Sequence, residues 1–163
     1  MIKKQRCLWP NANPLMLEYH DKEWGVPVHN DIKLFEFLIL EGAQAELAWE
    51  TILRKREKYR KAFSDFDPAK ISHYTEGDVW YICKYIWQFV GGKSILNEFR
   101  SLSEIPPKTK ESDAMSKDLK KRGFKFVGST ICYAFMQAVG MVNDHTTDCF
   151  RYNEVSTLKN VKL

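Results

Sequence analysis

Two sets of residues in this 163-residue chain could do chemistry. The first is a carboxylate in an apolar stretch. Leu34, Phe37, Leu38 and Glu41 fall at i, i+3, i+4 and i+7 of LFEFLILEGAQAELAW, residues Leu34–Trp49, which is one face of a helix. Phe35, Ile39 and Leu40 make the other faces apolar, so the helix is expected to be buried nearly all round and Glu41 with it. Gly42 follows at once, where a helix loosens or backbone comes close to a ligand. Trp49 lies eight residues beyond the carboxylate. A buried carboxylate beside an indole can hold a flat cationic or hydrogen-bonding ring. The competing reading is a glutamate at a helix end, facing water.

The second set is Cys7, His20, His145 and Cys149. The last two are four residues apart, so one helical turn would put them on one side. Two cysteines and two histidines make a closed tetrahedral set of the structural zinc type. Such a site would tie together two ends otherwise prone to fray. The competing reading is four unrelated residues, since Cys7 and His20 are far apart for a paired ligand motif. Cys83 and Cys132 sit among apolar neighbours and read as core thiols. His29 and His73 have no partner pattern and read as surface or capping residues. With no secretory signal, four cysteines are not expected to form disulfides.

A third feature is the turn Phe126-Val127-Gly128-Ser129-Thr130. It places glycine and two hydroxyls at the start of a helix, where free N–H groups attract anions such as phosphate. An ordinary helix cap is the plainer alternative.

The elements needed to position these residues read as helix after helix. Asn13 and Pro14 start one that runs to His20. Asn30 or Asp31 caps the central helix. Residues 46–63 alternate apolar and basic residues at helical spacing. Asp67-Pro68 starts another helix. Residues 78–90 are rich in Trp, Tyr, Ile and Phe, and Gly91-Gly92 ends them. SEIPPKT, residues 103–109, is a loop. Ser112 caps a helix that stops at Gly123, and Ser129-Thr130 begin an apolar helix ending at Gly140. No alternating strand, repeat or linker stands out. The expected fold is all-α, one domain over residues 1–163.

Composition bounds the partners. Hydrophobic residues make up 44% and aromatics 13%, enough for a real core. No apolar run reaches membrane-spanning length, so a cytoplasmic protein with no membrane partner is expected. The net charge is +4, which permits a polyanion partner. Basic residues cluster in RKREKYRK (Arg54–Lys61) and KDLKKRGFK (Lys117–Lys125). Each run could be a solvated helix face. Two of them in an aromatic-rich chain raise the nucleic-acid option. No GxGxxG, GxSxG or Walker loop is present.

CLW at Cys7–Trp9, YHDKEWGVP at Tyr19–Pro27, the Leu34–Trp49 stretch, and SDAMSKDLKKRGFKFVGSTICYAFMQAVGMVNDH at Ser112–His145 with the TTDC that follows resemble the bacterial DNA-3-methyladenine glycosylase I family. These long segments cover most of the chain. The resemblance implies a helix-hairpin-helix glycosylase fold and a monofunctional repair enzyme. That enzyme would hydrolyse the N-glycosidic bond of N3-methyladenine in double-stranded alkylated DNA and release the free base. The family's zinc ligands fall on Cys7, His20, His145 and Cys149. Its base-recognising carboxylate falls on Glu41, and its pocket aromatics on Trp9, Tyr19 and Trp49. Leu47 becomes a candidate wedge for the gap left by the flipped base, and Gly128, Ser129 and Thr130 candidate phosphate contacts. A monomer is expected.

Two features depart from the family. Met16 stands where it usually has a second aromatic. Between Asp78 and Tyr85 the chain is shorter, as if roughly one helix-hairpin-helix unit were absent. A zinc-stapled DNA- or ligand-binding protein without catalysis is the rival expectation.

Overall fold

The computed structural model describes residues 4–44, 47–67, 70 and 82–158. Seven helices carry the fold among them: α1 (Pro14–Lys22), α2 (Asp31–Ala43), α3 (Trp49–Ala62), α4 (Ile82–Trp87), α5 (Lys110–Lys121), α6 (Ser129–Ala138) and α7 (Phe150–Ser156). Short 3-10 turns at Ser64–Phe66, Gln88–Val90 and Leu102–Glu104 join them. One feature departs from the all-α expectation. Ile95–Leu96 (β1) and Val142–Asn143 (β2) form a two-residue parallel pair, Ile95 opposite Val142. It is too short to show an alternating pattern in the sequence.

Local chemistry sets the helix starts. The Asn13 side chain accepts from the N–H groups of Leu15 and Met16, and Pro14 gives up an N–H that would be orphaned anyway. At α2 the cap is Asn30, which accepts from Lys33 N–H at 2.9 Å. Asp31, one residue into the helix, instead accepts from the backbone N–H of Cys83 and ties α4 to α2. The expected cap of α5 is displaced by one turn. Thr109 is the cap, and Ser112 is its partner in a reciprocal capping box. Gly42 does not stop α2; it sits in the last turn, and Gln44 follows the helix end.

The core forms where α6 lies between α5 and α2. Cys132, Phe135 and Met136 of α6 meet Met115 and Leu119 of α5 and Leu34 and Phe37 of α2. Each large side chain buried there contributes about 2 kcal/mol. The other side of α2 faces a second cluster, in which Leu40 packs with Ile52 and Phe66. That explains the apolar residues all round α2. Trp87 of α4 is fully buried and donates its indole N–H to Val28 O at 2.7 Å.

α3 is locked to α1 and α2 by charge. Arg56 is 8% exposed and pairs with Glu36 of α2 at 2.7 Å and with Glu23, just after α1, at 2.8 Å. Arg60 joins Glu36 at 2.9 Å. Arg56 of the first basic run is therefore buried and structural, and Arg60, partly exposed, is held in the same network. The second run is exposed along α5 and the turn Arg122–Gly128 that joins α5 to α6.

Three expectations fall on or beside residues outside this description. The helix start at Asp67-Pro68, His73, and most of the shortened segment before Tyr85 lie there.

Candidate active site

α1, α3 and the segment before α1 converge on a hollow of about 330 Å³. Trp9, Tyr19 and Trp49 line it, with Met16, Gln44 and Gln137. Tyr19 faces Trp49 at 5.5 Å between ring centres and Trp9 at 6.2 Å. Trp24 backs Trp9 edge-on at 5.1 Å. All three sequence-derived aromatics are thus together. Met16 stands on the same wall, where the family departure put it.

Glu41 is 3% exposed. It is not among the residues that line the hollow, but it lies within electrostatic reach of Tyr19, which does. Burial, and next the Glu41 charge, push the Tyr19 hydroxyl far above its usual range. Burial alone pushes the Glu41 carboxyl up to about 8. Among the described residues its Oε2 has no hydrogen-bond partner within bonding distance, and neither do the indole N–H groups of Trp9 and Trp49. A buried polar atom left unpaired costs about 1–3 kcal/mol. Unpaired polar atoms in and beside the hollow are ones a ligand with hydrogen-bonding edges could satisfy. A cation entering beside Glu41 would favour the ionised carboxylate and expel its proton.

The Cys/His set is assembled and buried. The ligand atoms of Cys7, His20, His145 and Cys149 all lie within 4.8 Å of one another. Cys149 Sγ is 3.5 Å from His20 Nε2 and 3.6 Å from His145 Nδ1, and Cys7 Sγ is 3.6 Å from the same Nδ1. A tetrahedral ion with bonds of about 2.3 Å to sulfur and about 2.0 Å to nitrogen separates the two donors by about 3.5 Å. The outer contacts fix which nitrogen faces inward. His20 Nδ1 meets Asp21 at 2.8 Å, and Asp21 is held by Arg6. His145 Nε2 meets Trp24 O at 3.1 Å. Both histidines then turn their other nitrogen to the cluster, the arrangement metal-bound histidines adopt. The set fits a metal ion. Gly25 keeps this packing possible, since a Cβ there would stand 3.0 Å from His145 Nε2.

The sequence pattern of the methyladenine glycosylase family matches residues 9–84 and 78–152. The chain belongs to that family. The DNA-3-methyladenine glycosylase 1 of Escherichia coli strain K12 is 43% identical over 181 residues, covering 91% of this chain and 97% of the relative. A crystal structure of a 3-methyladenine DNA glycosylase I superposes with a TM-score of 0.80 at 44% identity, over 90% of this chain and 98% of the other. Another 3-methyladenine DNA glycosylase I, in complex with 3-methyladenine, gives 0.82 at 28% identity over 96% and 99%.

The remaining sequence-derived residues lie apart from the hollow. Leu47 is 45% exposed in the connection between α2 and α3. Gly128, Ser129 and Thr130 form the start of α6, and no side chain caps it. His29 is not a surface or capping residue. It stacks on Trp87 at 4.4 Å, with Nδ1 3.7 Å from Cys83 Sγ. Sequence reasoning missed Gln137 and Ala134 in the hollow, and Arg56 behind it. Gln137 and Ala134 are three apart on α6, one stripe of an apparently plain core helix.

Proposed function

We propose that this protein hydrolyses the N-glycosidic bond of N3-methyladenine in double-stranded alkylated DNA. The observation that carries the reading is the partnerless Glu41 carboxyl, buried beside a ring-sized hollow walled by Trp9, Tyr19 and Trp49. A base inside a duplex must be turned out of the stack to reach such a hollow. Methylation at N3 makes the base cationic and a good leaving group, so little acid catalysis is needed. The rings stack on it and attract its charge. Glu41 accepts from an N–H of the base and favours the cation, which disfavours neutral adenine. No lysine lines the hollow among the described residues, which suits attack by water over a Schiff-base route.

Zn²⁺ would be held by Cys7, His20, His145 and Cys149. Bound there it supplies structural cross-linking of the chain's two ends, away from the reacting bond. Leu47 would fill the gap left by the flipped base. Gly128, Ser129 and Thr130 would meet a backbone phosphate at the mouth of the α5–turn–α6 pair. The exposed lysines of that pair suit a polyanion.

A second reading, ligand binding without turnover, draws on two observations. An alignment of 181 residues with 91% of a 163-residue chain leaves part of the relative without a counterpart. The family pattern also matches as two stretches meeting at residues 78–84. Both support a shortened segment between about 79 and 85. One assay separates the two readings. Incubation with methylated duplex DNA should release free 3-methyladenine and leave abasic sites. Binding of the free base with no release from DNA would favour the second reading.

A further inference from the structure

Asp144 stands between the Cys/His cluster and the hollow, and it is 1% exposed. Both of its oxygens are spent. Oδ2 accepts from the Tyr133 hydroxyl and from Gln137 Nε2, each at 2.7 Å. Oδ1 accepts from Asn97 Nδ2, also at 2.7 Å. A carboxylate only accepts, so the Gln137 amide must turn its nitrogen to Asp144. Its carbonyl oxygen is then the open end, and Gln137 lines the hollow. No hydrogen bond reaches that oxygen among the described residues. Tyr133 and Gln137 are four apart on α6, so one carboxylate can hold both.

We propose that Gln137 is a specificity-determining residue, a neutral acceptor locked by Asp144 and read by the C6 substituent of the flipped purine. The inference rests on the reading that the hollow takes 3-methyladenine. Glu41 takes one N–H of the C6 amine and favours the cation, which leaves the amine's second N–H for another acceptor. Charge itself does not separate 3-methyladenine from 3-methylguanine, since both are cationic in DNA. The C6 substituent does. Adenine carries a donor amine there and guanine an acceptor carbonyl. A fixed acceptor pairs with the first and repels the second. The lock decides the outcome, because a free glutamine would rotate its amide and donate to the guanine instead. In a water-poor site, facing carbonyls leave both unpaired, a penalty of about tenfold or more in rate.

Single-turnover excision from duplexes carrying either lesion tests this. The wild type should prefer 3-methyladenine by at least about tenfold. Gln137→Leu should cut the preference by about threefold to tenfold, mainly by slowing 3-methyladenine release, with the rest kept by Glu41. Asp144→Asn, which frees the glutamine amide, should move the preference in the same direction. Metal content and Tm are measured on each variant, so that a loss of fold is recognised. A Gln137→Leu protein that keeps the wild-type preference overturns the inference while leaving the glycosylase reading intact. A wild type that releases neither base overturns both.

Discussion

At the scale of single residues, Glu41 has a measurable cost. Its carboxyl is held up near 8 by burial, against an ordinary value of about 4.3. In the folded protein it keeps a proton that the unfolded chain gives up. The unfolded state thus binds fewer protons between these values, and stability falls as pH rises from about 4.3 to about 8. Glu41→Gln removes that slope. The variant should melt several degrees above the wild type at pH 8 and close to it at pH 4. Thermal scans at the two pH values check this, and equal melting at both would place the carboxyl in a polar environment. A residue that weakens the fold beside a hollow is the pattern expected of a binding group.

At the scale of elements, the helices place the site through close approaches that few side chains allow. Gly140, just after α6, has φ +71, and a Cβ there would collide with the backbone of Val26 and Pro27. Gly140→Ala should cost about 2 kcal/mol or more, read as a lower denaturation midpoint. A change under about 0.5 kcal/mol would mean the segment yields easily. α2 was legible in the sequence because its apolar spacing is strong on more than one face, and the same spacing drew attention to Glu41. α1 was legible from its cap and proline, the turn after α4 from its glycines, and α3 from apolar residues at helical spacing among basic ones. The β1–β2 pair was not, since two residues carry no period. The cap of α5 was misplaced because Thr109 and Ser112 are both capping types. Their reciprocal bond decides between them, and only geometry shows it. Gln137 was hidden for a related reason. Its role depends on Asp144, which a linear pattern does not bring near.

At the scale of the whole molecule, the Cys/His cluster and the basic surface carry the account. Residues 138 apart in sequence, Cys7 and His145, stand 3.6 Å apart. The purified protein should hold a single zinc ion per chain. Chelation should lower its Tm sharply, and Cys149→Ser should do the same without added chelator. A metal-free protein with unchanged Tm would contradict the staple. For DNA, Arg56 and Arg60 are tied up in ion pairs, whereas the cations of the run at Lys117–Lys125 are exposed and should contribute phosphate contacts. Lys125→Gln should weaken binding to all sequences alike and lower the salt slope by about one; an unchanged slope would remove this run from the interface. An intact mass of 19.1 kDa would agree with the shortened segment, and a value several kilodaltons higher would contradict it.

The most direct test of a buried carboxylate beside a ring-walled hollow acting on a cationic purine is single-turnover release of 3-methyladenine from methylated duplex by wild type and Glu41→Gln. The account predicts ready release by the wild type and a loss of about tenfold to a hundredfold in the variant, with zinc content unchanged. Equal rates for the two proteins would contradict it.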